Sequence, residues 1–325
     1  MKIIFFLLGL VPFFCAGQAA TNWQNADSVF GALPKSVHVY FTNQKIDTAP
    51  FKAYYVIADL KDKSLDFTTD TSLNRRLRPS DFYKKNNFPL LVVNGTFFSF
   101  ETNRNLNLVI QNGKLLSYNQ QTIPGRKKDT LTYSHPFSSA IGISKRREAD
   151  IAWTLTDSAE KFAYVSQVPI APLKDSVSSH PLQYFLSATR LNHNSSVAGL
   201  KKWKMKTAIG GGPVLIQNNQ IAISNNEEMK FGGKAVNDKH PRTAVGYTAE
   251  QKLIMLVVEG RNKEAGGASL VQLAQLMKEL GCIEALNLDG GGSSCLLING
   301  KETIKPSDPS GQRPIPAVFM ILNKD

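Results

Sequence analysis

The stretch Ala285-Leu-Asn-Leu-Asp-Gly-Gly-Gly-Ser-Ser-Cys-Leu-Leu-Ile-Asn-Gly-Lys-Glu-Thr-Ile304 is one complete structural sentence: strand, glycine turn, hairpin. Its apolar first part leads to a lone carboxylate, Asp289, and three consecutive glycines. Leu296–Ile298 and the residues after Asn299-Gly300 then read as two short strands about an Asn-Gly turn. Glycines let backbone N–H groups approach a ligand that side chains would hold off, and they reach positive φ, so an anion-binding concavity is possible beside Asp289. Taken alone, the run is equally a turn whose Asp organises the backbone.

The same order occurs twice more. Leu108-Val-Ile-Gln-Asn-Gly-Lys-Leu-Leu116 and Val214-Leu-Ile-Gln-Asn-Asn-Gln-Ile-Ala222 are matching hairpins. The turns before the three hairpins are Asn94-Gly-Thr-Phe-Phe98, Gly210-Gly-Gly-Pro213 and Asp289-Gly-Gly-Gly-Ser293. Proline-led strands follow them at His135-Pro, His240-Pro and Arg313-Pro. Three equivalent turns could converge on one pocket. The spacing is too long and irregular for a solenoid. The expectation is a single α+β domain with mostly antiparallel, curved sheets built from repeated strand-turn-hairpin units, and few helices.

Alternating runs predict strands at Val37–Thr42, Ala53–Leu60, Leu90–Asn94, Ala140–Ser144, Ile151–Thr154, Thr243–Tyr247, Leu253–Glu259 and Ala317–Leu322. One helix, Leu270–Leu280, has apolar residues at helical spacing, a Ser269/Gln272 capping box and a Gly281 stop. Leu173–Pro181 and Asn192–Ser196 read as surface loops, Asn225–Asp238 as a flexible loop beside the active face, and basic, proline-containing Arg75–Asp81 as a weak boundary.

Residues 1–20 place Lys2 before the apolar Ile3–Phe14 and small residues around Ala16 and Ala19, the order of a secretory signal. That predicts an exported chain, periplasmic or secreted, with no membrane span. Residues 21–85 would be an N-terminal extension packed on a main domain of 86–325. The formal charge of +12, or +11 without Lys2, favours anionic partners. Basic clusters such as Arg75-Arg76-Leu-Arg78 and Lys201–Lys206 carry no nucleic-acid-binding motif, so nucleic acid is not an expected partner. Cys282 and Cys295 could pair in an oxidising compartment, but both adjoin apolar strand residues, where buried free cysteines are common. The five His residues are scattered, so neither a metal nor a cofactor is expected.

Polar residues gather at strand ends: Asn94 and Thr96, Arg242 and Thr243, Glu259 and Arg261, Asn287 and Asp289 with Ser293. Two carboxylates, two arginines and a glycine concavity suit an anionic substrate whose cleavage leaves charge to stabilise, phosphate being the obvious anion. Ser293 could act as an exposed nucleophile, though it lacks an evident partnered base.

The ordered set Asn94-Gly-Thr-Phe-Phe98, Ala208-Ile-Gly-Gly-Gly-Pro-Val-Leu215, Pro241-Arg-Thr-Ala-Val-Gly246, Val258-Glu-Gly-Arg261, the capped helix and Ala285–Ser293 resembles the phosphodiester glycosidase domain family, which includes exported bacterial exopolysaccharide-related proteins. The match runs from about residue 90 to the C-terminus. Thr96 stands where that family usually has a second glycine, and Glu259 where Asp is common. The resemblance implies hydrolysis of a sugar-1-phosphodiester, or phosphorylated glycan, into sugar and phosphomonoester. It implies catalytic roles for Asp289, Glu259 and Arg242. Asn94, Thr96, Gly211, Gly212, Thr243, Arg261, Asn287, Gly290, Gly291, Gly292 and Ser293 would bind substrate. The alternative from another class is a non-catalytic cell-envelope module that binds phosphorylated polysaccharide.

Overall fold

A computed structural model describes residues 21–191 and 199–324. The expected signal and the Asn192–Ser196 loop lie outside the described residues. No described helix is long and apolar enough to cross a membrane. Among the described residues the fold is α+β, with four α-helical segments and only antiparallel strand pairings.

The repetition is structural, and its units interlock. Each has a leading strand (Leu91–Asn94, Thr207–Gly210, Cys282–Asn287), a hairpin (Val109–Gln111 with Lys114–Ser117, Val214–Gln217 with Gln220–Ile221, Leu296–Ile298 with Lys301–Glu302) and a following strand (Ser138–Ile143, Arg242–Thr248, Ala317–Asn323). Each leading strand lies between the hairpin and the following strand of the unit before it: the second enters the first unit's sheet, the third the second's, and the first the third's. The three units thus close in a ring.

Return strands sit on the far side of the following strands, at Ala149–Leu155, Lys252–Val258 and, for the last unit, Leu65–Thr71. A helix then precedes each leading strand: Leu182–Leu191, Leu270–Glu279 and Pro79–Lys85. Residues 65–85 therefore complete the ring. Strands within 24–59 instead widen the eight-stranded sheet. The proline at Arg75–Asp81 marks a helix start: Pro79 occupies the first turn, and the Arg78 N–H donates to the Asp81 carboxylate at 3.3 Å.

Alternation explains the layers. Val93, Ile209 and Leu286, one from each leading strand, point into a shared central core with Val245, Leu296 and Phe319. Each contributes roughly 1.5–3 kcal/mol by burial. Opposite faces pack locally, Leu256 and Ala285 on Leu273 and Met277 of the capped helix, Val92 on Phe82, and Ala208 on Trp203. Cys282 and Cys295 are buried and free, and burial pushes the Cys282 thiol up to about 12.

Asn225–Asp238 is anchored, against the expectation of a flexible loop. A short helix, Asn225–Glu228, buries the Glu228 carboxylate, which accepts from Ser139 Oγ (2.7 Å), Ser224 Oγ (2.7 Å) and Val214 N (2.9 Å).

Candidate active site

The three leading strands end at turns that touch. Asp289 N donates to Gly95 O (3.0 Å), and Gly212 N donates to Asn287 O (2.7 Å) while Asn287 Nδ2 donates back to Gly212 O (2.8 Å). Asn107 joins the remaining pair, its Nδ2 donating to Gly211 O (3.1 Å) and its Oδ1 accepting from Phe97 N (3.2 Å). The ring brings the turns to one place because each leading strand crosses into its neighbour's sheet.

Asn94 is the buried knot below. Its Nδ2 donates to Asp289 O (2.6 Å), and its Oδ1 accepts from Thr243 Oγ1 (2.8 Å) and Cys295 N (3.0 Å). Asn94→Ala would leave three buried groups unpaired, and we expect a loss on the order of 3 kcal/mol in denaturant unfolding. Activity should fall with it, since the Asp289 carbonyl loses its anchor.

Above this knot, each glycine of the run faces a different arginine. A Cβ on Gly290 would lie 2.9 Å from Pro241 O and 3.9 Å from Arg242 Cδ. One on Gly291 (φ +61°) would be 3.1 Å from Arg261 Nη2, and one on Gly292 2.2 Å from Arg313 Nη2. Only glycine allows two guanidinium groups, those of Arg261 and Arg313, and the Pro241–Arg242 backbone to close on one stretch of chain.

The arginines are held differently. Arg242 is buried, donating to Ala268 O (Nε, 3.0 Å) and to Ala235 O and Asp238 O (Nη2, 3.3 and 3.0 Å), and it covers the Phe231 ring. Arg261 is exposed, with Nη2 3.3 Å from His240 Nδ1. Arg313 Nε donates to Asp308 (2.7 Å), whose carboxyl is held down at about 2 by bonds from Ser310 and Arg313.

Asp289 accepts from Gly290 N at 2.9 Å. Burial pushes its carboxyl up to about 6, against the opposing pull of the Ser293 hydroxyl, the Gly290 N–H and Arg313. Burial, then Arg261, brings Arg242 down to about 10. His240 is lowered by burial and by both arginines. The surroundings favour a neutral imidazole and would favour an arriving anion.

Two candidates stand behind this surface. Glu259 is fully buried, and its carboxylate is engaged by Lys52 Nζ (3.1 Å), Asn262 Nδ2 (3.0 Å) and Lys305 N (2.9 Å). Thr96 is also buried and donates to Asn105 Oδ1, which ties the first turn to Thr71 through Asn105 Nδ2 (2.9 Å). Gly211 and Gly212 belong to the neighbouring turn, where a Cβ on Gly211 would lie 2.4 Å from Asn287 O.

Arg313 and His240 were not among the sequence candidates. Both occupy the residue before proline at the start of a following strand, so the repeat itself carried the signal.

Residues 170–322 match the family model described as phosphodiester glycosidase. The mouse N-acetylglucosamine-1-phosphodiester α-N-acetylglucosaminidase is 35% identical over 102 residues, which is 31% of this chain and 19% of that protein. The match spans about a fifth of the length of this curated relative. The catalytic domain of the zebrafish enzyme of that name superposes with a TM-score of 0.57, with 20% identity over 93% of this chain and 88% of the other. A hypothetical protein from Synechocystis gives 0.59 at 14% identity over 93% and 64%. These solved structures share the fold. The chain thus resembles the phosphodiester glycosidases in local sequence as well as in fold.

Proposed function

We propose that this chain is an exported hydrolase that cuts a sugar-1-phosphodiester between the anomeric carbon and the phosphate oxygen, releasing sugar and phosphomonoester. The observation that carries this reading is the single carboxylate beside three glycines, two of which are closed by the guanidinium groups of Arg261 and Arg313. A phosphomonoester is a good leaving group once its charge is held, so guanidinium groups supply much of what a general acid supplies in ordinary glycosidases.

Arg261 and Arg313 hold the departing phosphate, and bidentate guanidinium geometry suits its oxygens. Arg242 shapes the floor, since its donors already bind three backbone carbonyls. Asp289, ionised, activates water or stabilises the oxocarbenium-like centre. Glu259 acts by position, orienting the Arg261 turn through Asn262. Asn94 and Thr243 fix Asp289 from below. The relatives' names make an α-linked N-acetylglucosamine 1-phosphodiester the first substrate to offer.

The test offers the purified protein an aryl phosphodiester of α-N-acetylglucosamine 1-phosphate beside the matching aryl glycoside and aryl phosphate. Sugar release from the phosphodiester alone is the expected result. Turnover of the simple aryl phosphate alone would replace the proposal with a phosphatase.

A further inference from the structure

The scattered histidines of the sequence are not scattered in the fold. His135, the last residue of the short strand Tyr133–His135 just ahead of the first unit's following strand, meets Asp175 and His180 from the segment leading into the helix Leu182–Leu191. Candidate ligand atoms of the three side chains all lie within 4.8 Å of one another. We infer that His135, Asp175 and His180 form a binding site for one divalent transition ion, of which zinc best suits two imidazoles and a carboxylate.

The distances carry the inference. A tetrahedral ion with bonds of ~2.0–2.1 Å needs ligand atoms roughly 3.3–3.4 Å apart. His135 Nε2 is 3.5 Å from Asp175 Oδ1 and 3.0 Å from Val177 O, while His180 Nε2 is 2.7 Å from Asp175 Oδ2. Small movements would open this group around an ion, with the Val177 carbonyl or a water in the fourth position. On the other side of its ring, His135 Nδ1 is 3.1 Å from Thr122 Oγ1. Without an ion, Nε2–H donates to Val177 O and the Thr122 hydroxyl donates to Nδ1; because that hydroxyl can equally turn and accept from Nδ1–H, it steadies the ring when the Nε2 lone pair goes to a metal. Coordination needs only the Nδ1–H tautomer, so neutral imidazoles bind without oxidation, reduction or bond cleavage.

The surroundings are built rather than incidental. His135 is 2% exposed, and the His180 ring stacks on Tyr184 with centroids 4.2 Å apart. His135 also occupies the repeat position that holds His240 in the second unit and Arg313 in the third. Units two and three use that position at the glycine run; unit one uses it to gather ligands. The ion would clip the small sheet of Ile123–Pro124, Tyr133–His135 and Leu173–Asp175 to the start of the helix.

The experiment measures binding and is independent of hydrolysis. Full-length protein is stripped with a chelator, dialysed, and titrated with Zn²⁺ by calorimetry and with Co²⁺ by visible absorption. One ion per chain, four-coordinate cobalt bands and a rise in Tm are expected. His180→Ala, at the rim, should lose the site while keeping the parent's circular dichroism. Thr122→Val should bind ~10–100-fold more weakly, because it leaves all three ligands in place but frees the His135 ring. A folded parent that binds no zinc, or undiminished stoichiometric binding by His180→Ala, overturns the assignment.

Discussion

Asp289→Asn should lose turnover by about three orders of magnitude or more and yet melt at a higher temperature than the parent at neutral pH. Both effects come from the same burial. The Asp289 carboxyl stands at about 6 in the fold against 3.8 as its ordinary value, so the folded state holds its proton more tightly than the unfolded chain does. Ionisation in the fold then opposes folding. The penalty is absent below about 3.8, grows as pH rises, and is complete above about 6. It amounts to no more than about 3 kcal/mol.

Asn cannot ionise, and its Oδ1 can still accept the Gly290 N–H. The variant should therefore gain stability at pH 7.5 and match the parent at pH 3.5, readable by calorimetry at the two pH values. With Asp289 acting as its anion, parent kcat/KM should rise through a pH of about 6 and then level off. Substrate affinity should survive the substitution. Unchanged turnover in the variant removes Asp289 from the reaction. Tight binding by a parent that never turns substrate over favours the cell-envelope binding module.

The second large effect separates two glycines by what a methyl group would strike. In Gly292→Ala the new Cβ falls 2.2 Å from Arg313 Nη2 and 2.3 Å from Cζ, the far end of a flexible chain. Arg313 can swing aside, so the protein should fold normally while kcat/KM falls ~10²–10³-fold through loss of one charge-stabilising donor set. Arg313→Met should reproduce that defect, and the double variant should add little to it. In Gly211→Ala the Cβ falls 2.4 Å from the Asn287 carbonyl oxygen and 3.2 Å from Leu288 Cα, where only backbone can yield. That substitution should cost several kcal/mol or prevent folding, because it forces apart two turns that bond to each other. Normal folding of Gly211→Ala together with unfolding of Gly292→Ala would reverse the account of both sites.

Much of this architecture was legible in the chain. Alternation over Val37–Tyr40 placed the strand Val37–Thr42, and the Ser269/Gln272 box with its Gly281 stop placed the capped helix. The repeat was visible because Asn-Gly and Asn-Asn turns and pre-strand prolines are local chemistry. Its closure into a ring was not, since apolar runs such as Leu91-Val-Val93 say that a strand is buried without saying between which partners. Leu65–Thr71 escaped because its buried Thr69 reads as polar; the hydroxyl is satisfied by Ile110 O at 2.9 Å. The position of Glu259 was invisible for a related reason. An acidic residue beside Gly-Arg looks available until the distant Lys52 and Lys305 are seen to engage it. The metal-ligand trio needs a tertiary meeting of separate segments, which residue spacing along the chain does not report.

The ring has a consequence for how the chain comes to be made. Its first leading strand, Leu91–Asn94, takes its neighbours from Leu296–Ile298 and Ala317–Asn323, and Asn94 closes on Cys295 across 201 residues. During synthesis, that apolar segment emerges long before either neighbour exists. The last unit must arrive before the first can be completed, so maturation is governed by the C-terminus. Pairings of such sequence separation form slowly, and the interval leaves an unpaired, strand-forming segment open to aggregation. C-terminal truncation ahead of Ala317 should therefore abolish the fold of the opening unit as well as that of the closing one.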